Sequence, residues 1–197
     1  MAKVANEPVI CISAPRCCNE TYGTAASQGI CRAPPSDAAN GKSNQYPTKH
    51  MNNIRYGPCG GIYQIVTTTA QTGGTIFALI CNEKPGGGPP LHIHGTEEEY
   101  FFVTEGEITF FIDGKITKAK AGETAFAPRG KVHCYKNCTN QVARMLDLFT
   151  PGTIEGYFDC GLPMEDGSIP SEACIIERMN AIGPRFNVTQ VKGPSPF

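Results

Sequence analysis

Residues 86–106 read GGGPPLHIHGTEEEYFFVTEG and residues 122–137 read GETAFAPRGKVHCYKN, and these two stretches hold three of the chain's four histidines. His92 and His94 are two apart, so on an extended strand both imidazoles leave the same face. Glu99 follows after four intervening residues, room for the chain to turn a corner and approach the same point from the next strand. His133 lies in KVHCY, a strand-like run introduced by the turn Pro128-Arg129-Gly130. Three neutral imidazoles and a carboxylate make a donor set for one divalent first-row transition metal, among Fe, Ni, Cu, Mn, Co and Zn. An isolated His-x-His is more often a pair of ordinary core histidines. With Glu99 and His133 in register that reading loses, because burying three imidazoles and a carboxylate together without a cation leaves costly unpaired polar groups.

Outward from these stretches the pattern is of short strands. IYQIVTTT (62–69) and GGTIFALICNE (73–83) are β-branched and aromatic runs, and Thr72-Gly73-Gly74 between them suggests a hairpin. EITFFI and KITKA flank Asp113-Gly114, a strong two-residue hairpin signal. ETAFAP, KVHCYKN and QVARMLDLF follow, each bounded by Gly, Pro, Asn or Asp. Many short strands without intervening helices predict an all-β, two-sheet jelly roll or barrel. No internal repeat is evident, so one unit is expected. Residues 1–54, rich in Pro, Ser, Asn, Gly and Ala, read as an irregular amino-terminal arm, 55–160 as the barrel, and 161–197 as a carboxyl-terminal extension. In that extension Ser171 can cap a short helix through EACIIERMNA, with Ile175, Ile176 and Met179 as its apolar stripe and Gly183 as its stop. The helix is expected to lie on the outside of the barrel.

The two stretches resemble the paired motifs of the cupin superfamily. The first motif, G-x5-H-x-H-x(3,4)-E-x6-G, is filled by Gly86, His92, His94, Glu99 and Gly106; the second, G-x5-P-x-G-x2-H-x3-N, by Gly122, Pro128, Gly130, His133 and Asn137. The motif permits three or four residues before its glutamate, and within Glu97-Glu98-Glu99 only Glu99 also has the six-residue gap to a glycine. Glu99 is therefore taken as the ligand, and Glu97 and Glu98 as solvated or outer carboxylates. PGGGPPLHIH and TPGTIEGYF (150–158) further resemble small monocupins of the quercetin 2,3-dioxygenase-like type. The resemblance implies a cupin jelly-roll barrel, or double-stranded β-helix, binding metal through His92, His94, Glu99 and His133.

Lys and Arg number 17 against 18 for Asp and Glu, with no block of one sign, so neither nucleic acid nor a membrane is expected as a partner. A small-molecule substrate is, and a homodimer is possible. Ten cysteines, with Cys11, Cys17, Cys18 and Cys31 crowded into the arm, point to export with a leader absent from this chain and to a disulfide among those four and Cys59. Sequons at Asn19, Asn137 and Asn187 point the same way, although the second motif places Asn137 in a structural role. A cytoplasmic protein with reduced thiols is the alternative.

Four protein ligands leave one or two positions open on a metal that accepts five or six, as in a catalytic site. Glu99 could then accept a substrate proton as well as ligate. By strand parity Phe101 and Val103 share the face of Glu99, and Tyr135 that of His133, which nominates them as pocket lining or as plain barrel core. The resemblance implies a dioxygenase-type oxidoreductase acting on an enol or phenolic, flavonol-like molecule. Redox-neutral isomerase, cyclase or lyase chemistry is the alternative, and a non-catalytic cupin that binds metal or ligand is a further one.

Overall fold

The computed structural model describes residues 53–197; the rest of the amino-terminal arm, with Cys11, Cys17, Cys18 and Cys31, lies outside the described residues. Among the described residues eleven strands run in chain order: β1 (Ile54–Tyr56), β2 (Ile62–Thr67), β3 (Phe77–Glu83), β4 (His92–His94), β5 (Glu98–Glu105), β6 (Glu107–Ile112), β7 (Lys115–Lys120), β8 (Thr124–Ala127), β9 (His133–Lys136), β10 (Ala143–Thr150) and β11 (Val188–Gln190). They form a six-stranded sheet in the order β1-β2-β3-β10-β5-β8 and a five-stranded sheet in the order β11-β4-β9-β6-β7. Every pairing is antiparallel. The all-β jelly roll expected from the sequence is the fold.

Period-two alternation decides what lies between the sheets. Along β5 the side chains of Glu99, Phe101 and Val103 are buried while Tyr100 and Phe102 face outward. Phe77, Leu79, Phe101, Phe110, Ile108, Met145 and Phe149 are almost fully buried and form one continuous core. Asp113 and Gly114 join β6 to β7 with φ of 48° and 82°, the two left-handed residues that a type I′ hairpin turn requires. The β2–β3 hairpin is made less simply than a glycine turn alone. A single helical turn, α1 (Thr69–Thr72), sits between the strands, capped by a reciprocal Thr68–Gln71 box and ended by Gly73 in the left-handed region.

The carboxyl-terminal extension contains α2 (Glu172–Ile182), and Ser171 accepts a hydrogen bond from the Cys174 amide as its N-cap. Its position corrects the expectation of a helix laid on the barrel exterior. Together with a 3-10 segment (Glu155–Gly161), α2 caps one end of the space between the sheets, and Ile175 and Met179 reach the interior. Arg55 Nη2 pairs with Asp159 Oδ1 at 3.0 Å, and Arg178 Nη1 donates to Leu162 O at 2.8 Å. Ile154, Tyr157, Ile175 and Met179 are buried beneath this cap. Burying an apolar side chain of that size stabilises by about 1.5–3 kcal/mol, so the cap is packed structure and not a loose flap. The extension also supplies β11, which pairs with the ligand strand in the register Val188↔His94 and Gln190↔His92.

Candidate metal centre

β4 is three residues long, and its register sets the centre. His92 pairs with His133 of β9 on one side and with Gln190 of β11 on the other. His92 and His94 therefore point to one face, and His133 points there from the neighbouring strand. Glu99 reaches the same point from the other sheet, where it lies between Phe149 and Ala127. The four donor atoms lie within 4.8 Å of one another, and all four residues are buried. His92 Nε2 and His94 Nε2 are 3.1 Å apart, and Glu99 Oε2 is 2.7 Å from His133 Nε2 and 3.5 Å from His94 Nε2.

Backbone carbonyls orient two of the rings. His92 Nδ1 lies 2.8 Å from Pro90 O and His133 Nδ1 lies 2.8 Å from Lys131 O. A carbonyl can only accept, so Nδ1 carries the proton in both, and each Nε2 lone pair faces the centre. The His94 ring is held by edge-on packing against Phe149, with centroids 5.5 Å apart. Electrostatics agree with this arrangement. Burial holds His92 well below the ordinary histidine range, with His133 and His94 adding to the effect; burial takes His94 down to about 3 and lowers His133. The imidazoles are neutral, as ligation requires. Burial also raises the Glu99 carboxyl to about 8, against a lowering hydrogen bond from Asp147. A divalent ion would reverse that cost by favouring the carboxylate. Neutral lone pairs and one acid converging in a dry site fit a transition metal.

Asp147 is the main site residue that the sequence did not announce. It projects inward from β10, is buried, and has its own acidity reduced chiefly by burial and then by the neighbouring Glu99 carboxyl. Cys81 Sγ lies 3.9 Å from Asp147 Oδ2, and Tyr135 lies 3.8 Å from that sulfur while donating to Glu83 Oε1 at 2.9 Å. A buried polar chain thus runs from the ligand Glu99 to Glu83. Of the two readings for Glu97, a solvated or an outer carboxylate, its burial leaves the second. It is only 2% exposed, and Thr153 Oγ1 donates to it at 2.9 Å.

A cavity opens beside the centre, with His92, His94 and Glu99 in its wall. Tyr135 lines it, as parity suggested, together with Asp147 and Cys81. Phe101 and Val103 share the inward face but are core: Phe101 packs on Phe110 and Tyr135 at 4.9 and 5.7 Å between centroids, and neither residue is in the cavity wall. Tyr157, Phe158, Ile175 and Met179 of the cap also line the cavity. Asn137 of the second motif is fully buried and donates through Nδ2 to Glu83 O and Gln141 O. Its amide is committed to tying β3 to the loop after β9.

Residues 79–149 match the family model described as "Cupin domain", a span that holds all four ligands and the strands bearing them. Within that span the chain is similar to the cupin domain. It is 28% identical over 113 residues to quercetin 2,3-dioxygenase of Bacillus subtilis, covering 56% of this chain and 33% of that protein. It is 35% identical over 60 residues to an uncharacterized protein of Aquifex aeolicus, covering 30% and 49%. The chain thus spans between a third and a half of the length of these curated relatives. An RmlC-like cupin from Shewanella frigidimarina superposes with a TM-score of 0.48 at 21% identity, covering 58% of this chain and 96% of that one.

Proposed function

We propose that this protein is a metal-dependent oxidoreductase of the dioxygenase type, acting on an enol or phenolic small molecule. The observation that carries the reading is the opening of the cavity onto three of the four ligand residues, His92, His94 and Glu99. A closed structural metal site needs no such space. Similarity to a quercetin 2,3-dioxygenase supports the choice of reaction class. His92, His94, Glu99 and His133 would hold the metal, which supplies a positively charged docking point for substrate oxygen and, if redox-active, a route for electrons to dioxygen. Glu99, lying at the cavity wall, takes the enol proton as the substrate arrives. The buried Asp147 carboxyl raises the cost of a second charge beside Glu99, and the apolar cap excludes water from the reacting oxygen.

Oxygen consumption by the metal-loaded full chain, presented with enol and phenol substrates, tests this. Uptake matched to substrate loss is expected with at least one redox-active metal. A second reading, redox-neutral isomerase, cyclase or lyase chemistry, is favoured by the adjacent Glu99 and Asp147 carboxyls, which suit proton movement. Conversion of substrate without oxygen uptake would replace the first reading with this one.

A further inference from the structure

The cap over the cavity lies outside the matched cupin domain, which ends at residue 149. Ile175 and Met179 of α2 and Tyr157 of the 3-10 segment line the same cavity as His92, His94 and Glu99. The cap is fastened on several sides. Arg55 grips Asp159, Arg178 grips Leu162 O, and Gln190 Nε2 donates to Tyr157 OH at 3.3 Å. Thr69 N also donates to Glu155 Oε2 at 2.6 Å. Opening it would break these contacts and expose side chains that are now core.

Beneath this cap the cavity measures about 50 Å³. At roughly 10–15 Å³ per water centre it holds about four waters, whose liquid volume is on the order of 120 Å³. Pockets for drug-sized ligands run from about 300 Å³ upward. A three-ring flavonol does not fit that space, whereas a single ring bearing two adjacent oxygens does. The wall suits such a molecule. It combines His92, His94 and Glu99 with aromatic and aliphatic side chains, and Asp147 and Tyr135 add polar groups.

Resting on the reading of the site as a metal centre with open positions, we propose that its ligand is a chelating molecule of one ring or less, an enol ketone or catechol of about ten non-hydrogen atoms. Ile175 and Met179 are the residues that set this limit. They determine specificity and take no part in the chemistry.

Two probes with the same enol-ketone head separate size from chelation: maltol, with one ring, and 3-hydroxyflavone, with three. The full chain is loaded with Co(II), whose visible spectrum reports ligands entering its coordination shell, so binding is read without turnover. Maltol is expected to change the spectrum of the wild type and to bind about a hundredfold or more tighter than 3-hydroxyflavone. Met179→Ala combined with Ile175→Ala should bring 3-hydroxyflavone to within about tenfold of maltol, with maltol changed by less than about threefold. Met179→Ala alone, a smaller perturbation of the cap, should shift the ratio in the same direction. Equal affinity for both probes in the wild type, or a Co(II) spectrum that neither probe alters, overturns the proposal even if no variant folds. Failure of the wild type to bind stoichiometric Co(II) is a different result, and it sinks the metal-centre reading itself.

Discussion

Gly88→Ala should disturb the metal centre from a position that holds no ligand. Gly88 has φ of 145°, and a Cβ built there meets Tyr135 O at 2.1 Å and Lys136 Cα at 3.1 Å. A carbon beside a carbonyl oxygen needs about 3.3 Å, so about 1.2 Å must be found by moving one segment away from the other. Neither moves freely. The Gly86 amide donates to Asn137 O and the Asn137 amide donates to Gly87 O, both at 2.8 Å, which ties the approach to β4 against the end of β9. His92 and His133 sit just beyond these two contacts, and metal–ligand distances tolerate about 0.2 Å. Overpacking costs about 1–3 kcal/mol and the strained backbone about 1–3 more. Together they predict a melting temperature lower by roughly 5–20 °C for a domain of this size. Metal affinity should fall about 10–100-fold, as when a supporting residue behind a ligand is lost. Gly114→Ala is the control, since Gly114 has φ of 82° with nothing within 4 Å of its Cβ; it should carry only the backbone term and bind metal normally. Thermal melts of metal-free protein and metal titrations of both variants decide the matter. If Gly88→Ala binds metal as tightly as Gly114→Ala, close approach of these backbones does not set the spacing of the ligands.

Four further outcomes are expected. His94→Ala and His133→Ala should each lose stoichiometric metal by elemental analysis, whereas Glu97→Gln, which keeps an oxygen for Thr153, should retain it. Because the Glu99 carboxyl of the metal-free protein lies at about 8, it holds its proton at neutral pH and must release it to ligate, while the depressed imidazoles are already neutral. Metal affinity measured by titration should therefore rise about tenfold per pH unit from about 6.5 to 8 and then level off; a flat profile across that window contradicts the assignment. Glu99→Gln loaded with metal should lose activity mainly in kcat, since Gln keeps shape and a coordinating oxygen but no basic site, and near wild-type turnover would remove Glu99 from proton transfer. Mass measurement after alkylation without reduction should find a disulfide among Cys11, Cys17, Cys18, Cys31 and Cys59 in exported protein, and full alkylation at those positions would return the chain to a reducing compartment.

The ligands were legible because their positions follow short local spacings that a strand converts directly into a shared face. The turn at Asp113-Gly114 and the cap at Ser171 were legible for the same reason, since each is decided within a few residues. Asp147 was not, although it touches Glu99. Its place depends on the pairing of β10 with β5, 48 residues away in sequence, and on a register shift between Arg144 and Met145 that no local pattern reports. Glu97 looked equivalent to its neighbour Glu98. What sets it apart is Thr153, brought alongside by the chain beyond β10. The apolar stripe of α2 correctly announced a helix with one buried side, but periodicity records that a face is covered and not what it covers. That face closes the cavity.

The pairing of β11 with β4 bears on how the protein is made. Until Val188–Gln190 leave the ribosome, the strand carrying His92 and His94 lacks its pairing with β11 and is held by the register pair His92↔His133 and by the Gly130 amide donating to His94 O. All four ligands are synthesised by residue 133, yet the ladder that fixes the first two waits for about fifty more residues, a contact of high sequence separation and correspondingly slow to form. Metal capture by a nascent chain would meet a half-built set of donors, open to whichever ion binds loose imidazoles and a carboxylate most tightly. Selection of the ion by geometry begins only after translation is nearly complete.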